Sequence, residues 1–253
     1  MTVLITGASS GFGRACAKAF AARGDNVIAI ARREKELLSL QAECTKERCA
    51  HIVCDVTDTA ALESSIEDTL KERRWEIDVL VNNAGLALGL SPAQDCDIKD
   101  WEQMIAVNCL ALVRLSHFVL QKMVGRKSGH IINIGSIAGS YAYPGSTVYG
   151  ATKAFVKQFS LNLRADLYDK NIRVTDIEPG LAGGSEFSLV RFKGDIERAN
   201  AVYENTKPLL PEDIAEAVCW VAYLPSHINI NRLEMMPTTQ APAALNVHKY
   251  EIS

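Results

Sequence analysis

A strand, a glycine-rich turn and a helix follow one another near the start of the chain, and together they restrict the fold to few classes. The strand is predicted at residues 2–6, the turn at 7–13 and the helix at 14–23. Glycines let a pyrophosphate approach the backbone, and the N–H groups at the helix N-terminus favour its charge. A flexible turn is the plain alternative, but this position after a first strand favours a dinucleotide site. The residues expected there are Thr6, Gly7, Ser9, Ser10, Gly11, Phe12 and Gly13.

Short apolar strands alternate with helical segments along the rest of the chain. Further strands are predicted at 26–31, 51–55, 78–82, 129–136, 171–177 and 231–236. Strands that alternate with helices form parallel sheets covered on both faces. At 253 residues, of which 48% are apolar, the chain is long enough for one large core. We therefore expect a single α/β domain over residues 1–253, a Rossmann-type doubly wound seven-stranded parallel sheet with helices on both faces.

Charge and cysteine content argue against several classes of protein. The formal net charge is −3, and no run of lysine and arginine suggests a nucleic-acid partner. No segment has the pattern of a signal peptide or approaches a membrane span, so we expect a cytoplasmic protein without a membrane partner. The seven cysteines form no Cys-x-x-Cys pair, and the spacing of Cys44, Cys49 and Cys54 fits no common zinc pattern. Free thiols and no bound metal are the expectation.

Two arginines, Arg32 and Arg33, follow the second strand. In dinucleotide folds this position faces the adenosine ribose, where an acid binds the 2′-hydroxyl of NAD and an arginine accommodates the 2′-phosphate of NADP. Arginines without an acid favour NADP(H), although the start of a solvated helix would also explain them. Asp55 and Val56 end the third strand, where an acid can meet the adenine amine.

Polar residues also follow the fourth strand and interrupt the next helix. The turn that contains Asn82, Ala84 and Gly85 suits a close approach of the cofactor, with an ordinary Asn/Gly loop as the alternative. A long apolar helix is predicted at 101–124, and Asn108 lies in its middle. Asparagine is unfavourable inside a helix, because its amide competes for backbone hydrogen bonds. We therefore expect Asn108 either to have a structural role or to hold a water for proton transfer.

The stretch from Ser136 to Lys153 brings a hydroxyl, a phenol and an ammonium group within reach of one point. Ser136 follows the fifth strand, and Tyr149 and Lys153 share one face of a helix predicted at 147–168. A phenol has an ordinary pKa of about 10, and a nearby cation lowers that pKa, which makes the phenol a usable acid and base. Ser136 can donate to an oxygen that gains negative charge. An exposed tyrosine beside a solvated lysine is the alternative.

The sixth strand is followed by an irregular segment at 181–207 that has the composition of a substrate loop. Arg191 and Lys193 lie within it as candidate contacts to an anionic substrate, and Arg191 is preferred because its planar fork can bind two oxygens. The tail at 237–253 has no clear period and is expected to lie along a partner subunit. Tyr250 in that tail is expected to complete the substrate pocket with Ser136 and Tyr149.

These motifs, taken in order, resemble the short-chain dehydrogenase/reductase family over nearly the whole chain. The matching residues are Thr6-Gly7-x-x-x-Gly11-x-Gly13, Asn82-Asn83-Ala84-Gly85, Asn108, Ser136, Tyr149-x-x-x-Lys153 and Pro179-Gly180. The resemblance implies a catalytic tetrad in which Tyr149 exchanges the proton and Ser136 holds the carbonyl oxygen. It also implies that Asn108 orders a water and that Lys153 binds the nicotinamide ribose. Further cofactor contacts are implied at Tyr149, Pro179, Gly180 and Leu181.

Within the family, the chain most resembles NADP-dependent 3-hydroxy acid dehydrogenases and the bacterial sulfoacetaldehyde reductases that form isethionate. The similarity rests on residues 82–89, 149–155, 178–184, 190–194 and 245–248. It implies NADP(H), a short alcohol or aldehyde that carries an anion, and a homodimer or homotetramer.

Two departures bear on that resemblance. Gly183-Gly184-Ser185 replaces the usual threonine of the family, so the hydroxyl that meets the nicotinamide amide is left open, with Ser185 as the candidate. Residues 249–253 extend beyond what we expect of the 3-hydroxy acid group, and this favours reduction of sulfoacetaldehyde to isethionate. Oxidation of serine or 3-hydroxypropionate-type substrates is the alternative. An idle NADP-binding regulatory protein on the same scaffold is the rival from another class, and the intact tetrad argues against it.

Overall fold

The strands and helices are described in a computed structural model that covers residues 1–45 and 47–242. The strands are β1 (Thr2–Thr6), β2 (Asn26–Ala31), β3 (Cys49–Val53), β4 (Val79–Asn82), β5 (Gly129–Ile134), β6 (Ile172–Pro179) and β7 (Arg232–Met235). The α-helices are α1 (Gly11–Ala22), α2 (Glu34–Glu43), α3 (Thr59–Arg73), α4 (Ile98–Ile105), α5 (Leu112–Arg126), α6 (Thr147–Asp166), α7 (Phe187–Arg191), α8 (Ile196–Ala201) and α9 (Pro211–Tyr223).

All seven strands pair in one parallel sheet, in the order β3-β2-β1-β4-β5-β6-β7. This confirms the predicted doubly wound sheet. The strand order reverses between β1 and β4, which are hydrogen-bonded neighbours although they lie far apart in the chain. Ligands of open α/β sheets bind in the crevice at the carboxyl ends of the strands, where the order reverses. The glycine-rich turn after β1 and the Asn/Gly turn after β4 both lie at this point.

Two apolar cores cover the two faces of the sheet. Val3 and Ile5 of β1 pack with Phe20 of α1 and with apolar residues of α9 on one face. Leu4, between them in sequence, packs on the other face with Val119 of α5 and with apolar residues of α3. Successive side chains of a strand point to opposite faces, so a strand covered on both sides is apolar at every position. This explains the unbroken apolar runs that predicted the strands.

The helix predicted at 101–124 is longer and less regular than expected. It begins at Ile98, because the side chain of Asp97 accepts a hydrogen bond from the backbone N–H of Lys99 and caps the first turn. A π-helical segment, Ala106–Ala111, joins α4 to α5 and contains Asn108. Such segments are often found at functional sites.

The segment at 181–207 was expected to be irregular, and this was wrong for two short stretches. They form α7 and α8, which are too short to show a helical period in the sequence. Asp195 caps α8 by accepting a hydrogen bond from the backbone N–H of Arg198 at 3.0 Å. The hydroxyls of Ser188 and Tyr203, 2.7 Å apart, connect α7 to the end of the segment.

One continuous helical stretch in the described residues, Ile98–Arg126, is long and apolar enough by length and composition to cross a membrane. Its most apolar window has a mean hydropathy of 1.5, and 44% of that window is buried inside the protein. A core helix of a globular protein meets the same criterion, so this stretch is weak evidence for a membrane span.

The glycine-rich turn is packed so closely against the turn after β4 that Gly13 cannot carry a side chain. A Cβ atom at Gly13 would lie 2.5 Å from Nδ2 of Asn83 and also too close to the carbonyl oxygen of Gly7. Asn83 Nδ2 itself donates to the carbonyl oxygen of Thr6 at 2.8 Å. The side-chain amide of Asn83 therefore holds the two turns together by packing against the backbone of the glycine-rich turn.

We predict that Gly13→Ala lowers the free energy of unfolding by about 1–3 kcal/mol, because the added methyl group must push the two turns apart. Each kcal/mol should lower Tm by about 2–4 °C in a protein of this size. Gly125→Ala in α5 is the matched control, since a Cβ there meets no atom within 4 Å. The control should be neutral or stabilise by about 0.5–1 kcal/mol. Equal melting temperatures for the two variants would contradict the packing argument.

Candidate active site

The four residues of the expected tetrad come from three elements that meet beyond the carboxyl ends of β4 and β5. Ser136 follows β5, Tyr149 and Lys153 lie on α6, and Asn108 lies in the π-helical segment. Hydrogen bonds connect these elements directly. Asn108 Nδ2 donates to Thr152 Oγ1 at 3.1 Å, and Lys153 Nζ donates to the carbonyl oxygen of Ile134 at 2.7 Å. The structure therefore brings all four residues to one place.

The ammonium group of Lys153 is buried, with 7% of the residue exposed. Burial lowers the pKa of Lys153 to about 8, while the nearby carboxyl group of Asp176 acts in the opposite direction. A Cβ on Gly85 would lie 3.5 Å from Lys153 Nζ, so a side chain at position 85 would occupy the space beside the ammonium group. That space is where the resemblance puts the ribose hydroxyls, and an ammonium group is a suitable donor to them.

The phenol of Tyr149 is also buried, and its ring packs against Phe187 of α7 at a centroid distance of 5.8 Å. We expected Lys153 to lower the pKa of Tyr149. Instead, burial raises the pKa of Tyr149 to about 12, and a hydrogen bond with Ser136 opposes this only in part. The reason is that Lys153 Nζ, 5.9 Å from the centre of the ring, does not outweigh the loss of solvent.

Asn108 uses its whole side-chain amide in hydrogen bonds within the protein. Its Oδ1 accepts from the backbone N–H of Leu86, and its Nδ2 donates to the carbonyl oxygen of Leu86, both at 2.9 Å. A second bond from Nδ2 reaches Thr152. This accounts for an asparagine in a buried helix, because the amide ties the chain after β4 to α6. The role of Asn108 in holding a water stays a prediction.

The turn after β1 and the turn after β4 form the predicted cofactor crevice. Thr6 Oγ1 accepts from the backbone N–H groups of Asn83 and Ala84 at 3.0 and 2.9 Å. Thr6, Asn82, Ala84 and Val56 line one small pocket at this edge of the sheet. Asn83 was not among the expected site residues, and its position next to Asn82 in the Asn/Gly turn was the available signal.

The structure places Arg32 and Arg33 differently. Arg33 Nη2 donates to Ser9 Oγ at 3.0 Å, so this guanidinium group lies on the glycine-rich turn. Arg32 is largely exposed and lies 3.5 Å from Asp55, whose other oxygen accepts from the backbone N–H of Thr57. A hydroxyl and a guanidinium group side by side are suitable donors for a phosphate, so Ser9 and Arg33 fit the 2′-phosphate of NADP(H).

The Pro-Gly motif at the end of β6 is covered by the chain that follows β7. Gln240 Oε1 accepts from the backbone N–H of Leu181 at 2.7 Å and lies where a side chain on Gly180 would point. Ser185 lies against the glycine-rich turn, since a Cβ on Gly11 would come within 2.8 Å of Ser185 Cβ. Gln240 was missed, because a lone glutamine in a segment without a period gives no signal in the sequence.

The two basic residues of the substrate loop have different surroundings. Arg191 lies over the ring of Tyr149, with its guanidinium carbon 5.7 Å from the ring centre. Its Nη2 donates to the phenol oxygen of Tyr143 at 3.1 Å, and its Nε donates to the carbonyl oxygen of Gly89 at 3.2 Å. Lys193 instead forms an ion pair with Asp100 at 2.8 Å. The predicted substrate residue Tyr250 lies outside the described residues.

A buried acidic pair below the tetrad was not expected from the sequence. Asp176 and Glu178 of β6 are fully buried, and Glu178 binds Arg232 of β7 through two hydrogen bonds at 2.6 and 2.7 Å. As a carboxylate, Asp176 finds no hydrogen-bond donor among residues 1–45 and 47–242, but as a protonated carboxyl group it can donate to Glu178. Burial raises the pKa of Asp176 to about 8. Gly135 makes room for this carboxyl group, whose Cγ would lie 3.0 Å from a Cβ at position 135.

Metal ligation finds no support in the part of the chain that the structure describes. Residues 1–45 and 47–242 contain no group of three or more histidine, cysteine, aspartate or glutamate side chains that could hold a metal ion.

Comparison with known proteins gives a consistent assignment. The model of the short chain dehydrogenase family matches residues 1–188. The chain is 56% identical over 249 residues to the NADP-dependent 3-hydroxy acid dehydrogenase YdfG of Salmonella typhi, which covers 98% of this chain and 100% of that protein. It is 49% identical over 249 residues to sulfoacetaldehyde reductase 2 of Chromohalobacter salexigens, covering 98% of each.

Solved structures show the same similarity. The closed form of a serine dehydrogenase complexed with NADP⁺ superposes with a TM-score of 0.94 at 53% identity, over 99% of this chain and 100% of that chain. The serine dehydrogenase from Escherichia coli superposes with a TM-score of 0.84 at 48% identity, over 95% of this chain and 100% of that chain.

We predict that Tyr149→Phe lowers kcat at least about a hundredfold, because the ring still packs against Phe187 but no proton can be exchanged. The dissociation constant of NADPH, measured by fluorescence titration, should stay nearly unchanged. Tyr168→Phe, at a tyrosine that is 77% exposed, is the matched control and should keep normal kcat. A Tyr149→Phe variant with more than a few per cent of normal activity would rule out Tyr149 as the proton donor.

We predict that Asp176→Asn stabilises the protein increasingly as pH rises. The pKa of Asp176 is raised from 3.8 to about 8, so its contribution to stability is complete below pH 3.8 and is lost as pH rises towards 8. The cost of ionising this group grows by about 1.4 kcal/mol per pH unit in that window, whereas the amide stays neutral and can still donate to Glu178.

The measurement is the difference in Tm between Asp176→Asn and the natural protein from pH 5 to pH 8. Asp95→Asn, on the surface, controls for the general effect of losing a carboxylate. A constant difference across this pH range would show that Asp176 is not held in its protonated form.

Proposed function

The chain belongs to the short-chain dehydrogenase/reductase family and is an NADP-dependent oxidoreductase acting on CH–OH groups, and we propose that its substrate is a short alcohol or aldehyde that carries an anionic group, in the first place a 3-hydroxy acid. The comparisons confirm the expected family, enzyme class and cofactor.

One observation carries the proposal. Arg191 lies over Tyr149, within reach of any small molecule held at the phenol. Its hydrogen bonds go to neutral oxygens, those of Gly89 and Tyr143, and it forms no ion pair with an acid within residues 1–45 and 47–242. Lys193, its neighbour in the loop, is already paired with Asp100. A guanidinium group without an acidic partner, placed beside the proton donor, is suited to bind a carboxylate or sulfonate.

NADP(H), when bound, supplies or accepts the hydride. In reduction, Tyr149 gives its proton to the carbonyl oxygen, which the Ser136 hydroxyl stabilises as negative charge develops on it. In oxidation, the same phenol oxygen takes the proton from the alcohol. Burial raises the pKa of Tyr149 to about 12, so at neutral pH the phenol carries the proton that it donates in reduction. Lys153 holds α6 at the end of β5 through its hydrogen bond to Ile134. Asn108 holds the π-helical segment to the chain after β4 through its hydrogen bond to Leu86.

The two candidate substrate classes differ in the anion. The identity to the 3-hydroxy acid dehydrogenase, 56%, is higher than that to the sulfoacetaldehyde reductase, 49%, which supports a carboxylate. The preference for a sulfonate that we drew from residues 249–253 rests on residues outside those that the structure describes. Sulfoacetaldehyde stays the second candidate, because that relative matches over 98% of its length and a guanidinium group binds either anion.

A comparison of substrates tests the proposal. NADP⁺ reduction is followed with serine, 3-hydroxypropionate, isethionate and the uncharged alcohol propanediol, and NADPH oxidation with sulfoacetaldehyde. We expect the highest kcat/KM for a 3-hydroxy acid. A higher value for the sulfonate pair would select the second candidate, and a higher value for the diol would refute an anionic substrate.

We predict that Arg191→Ala raises KM for the anionic substrate about 10–100-fold, because the variant loses a charged hydrogen bond worth about 1.5–3 kcal/mol. The effect on KM for the uncharged diol should be much smaller. Lys193→Ala removes the same charge from the same loop and is the matched control, since Lys193 is held by Asp100. Parallel losses on the charged and uncharged substrates would mean that Arg191 only orders the loop.

We also infer a homodimer or homotetramer in the cytoplasm. The outer faces of two long helices support the oligomer. Ile105 at the end of α4, Leu110 in the π-helical segment and Phe155 on α6 are all between 43% and 51% exposed. Apolar side chains of this size on neighbouring helices are typical of subunit contacts. The seven cysteines are free thiols in the structure, which supports a reducing compartment.

A further inference from the structure

The guanidinium group of Arg33 is held between the glycine-rich turn and the substrate loop. On one side, Arg33 Nε and Nη2 donate to Ser9 Oγ at 3.3 and 3.0 Å. On the other side, Nη1 and Nη2 contact the two carboxylate oxygens of Glu186 at 3.0 and 2.8 Å. The fork of Arg33 is therefore bound in the two-pronged manner that a guanidinium group also uses for phosphate.

Glu186 connects this contact to the substrate residues. It directly precedes α7, and Arg191, which lies over Tyr149, is the last residue of α7. The neighbouring Ser185 lies against Gly11 of the glycine-rich turn. A single five-residue helix thus has one end fixed at the cofactor crevice through Arg33 and the other end at the proton donor.

We propose that Glu186 occupies the position of the cofactor's 2′-phosphate on Arg33, so that NADP(H) must displace this carboxylate in order to bind. The inference rests on the proposed role of Arg33 as the ligand of the 2′-phosphate. Both anions need the same two terminal nitrogens of one guanidinium group, and a phosphate close to Glu186 would be repelled by it. Glu186 therefore lowers the affinity for NADP(H) and leaves the affinity for NAD(H), which lacks the phosphate, unchanged.

The charges of the pair are well suited to this competition. Hydrogen bonding by Arg33 lowers the pKa of Glu186, and Glu186 in turn raises the pKa of Arg33, so both groups are charged at neutral pH. The pair is about half exposed, with 45% and 48% of the two side chains accessible. Such ion pairs contribute little to stability, so a dianionic phosphate can replace the carboxylate at small cost.

Displacement of Glu186 has a consequence for α7. Binding of the 2′-phosphate breaks the contact that holds the start of α7 at the crevice, whereas binding of a cofactor without this phosphate leaves it intact. Affinities for the phosphate and for the anionic substrate at Arg191 are then linked, and the linkage acts equally in both directions. Glu186 is in this sense a residue that determines how strongly the enzyme distinguishes its two possible cofactors.

The test is Glu186→Gln, which removes the charge and keeps the shape. Its dissociation constants for NADPH and NADH are measured by fluorescence titration on the full chain. We expect the variant to bind NADPH about 3–10-fold more tightly, because it lacks both the half-exposed ion pair and the repulsion of the phosphate. It should bind NADH within about twofold of the natural protein. Glu197→Gln in α8 makes the same change of charge in the same loop and should change neither constant.

Arg33→Ala separates the inference from the role of Arg33. This variant should weaken NADPH binding at least about tenfold with little effect on NADH binding. Adding Glu186→Gln to it should tighten NADPH binding much less than Glu186→Gln does alone, because the group for which the two anions compete is gone and only their mutual repulsion remains. If Arg33→Ala leaves NADPH binding intact, the role of Arg33 fails and the inference fails with it. Suppose instead that Arg33→Ala weakens NADPH binding but Glu186→Gln does not tighten it, or tightens it equally in the presence and absence of Arg33. Then only the competition between Glu186 and the phosphate is refuted.

Discussion

The buried ammonium group of Lys153 is the constraint around which the site is built. A charged group removed from water needs a partner, and Lys153 finds one in the carbonyl oxygen of Ile134. This contact fixes α6 at the end of β5. The space that Gly85 leaves beside the ammonium group keeps it accessible from the cofactor crevice. The need to hold this one cation therefore sets the position of α6, its contact with the end of β5 and the open space at Gly85 in the turn after β4.

Acidic partners distinguish Arg32 and Lys193 from Arg191 among the cations around the site. Arg32 and Lys193 are paired with Asp55 and Asp100, so their positions follow from those ion pairs. Arg191 contacts only neutral oxygens and aromatic rings within the described chain, which leaves its charge available to a ligand. The sequence shows four basic residues in two short segments. Only the placement of the acids, distant in sequence, distinguishes them.

Much of the fold followed from the sequence, because a strand buried on both faces is apolar at every position and the glycine-rich turn marks where the order reverses. The members of the tetrad were also recognisable, since Tyr149 and Lys153 are one helical turn apart. The raised pKa of Tyr149 could not be predicted from the sequence, because the burial of its phenol depends on Phe187 and the loop around it. Asp176 was missed for a similar reason: a carboxyl group in an apolar strand shows its state only through its neighbours.

The π-helical segment has a consequence for how this protein can change. A π turn holds more residues than an α turn, so the segment behaves as an insertion within one continuous helix, Ile98–Arg126. Point substitutions leave the chain length unaltered, so straightening the helix requires the deletion of a residue. Because the wider turn absorbs one extra residue, such a deletion would leave α5 at nearly the same rotation relative to α4 and would shift only the residues within the segment, Asn108 among them. The position of Asn108 is thus protected by the length of the chain as well as by its own hydrogen bonds.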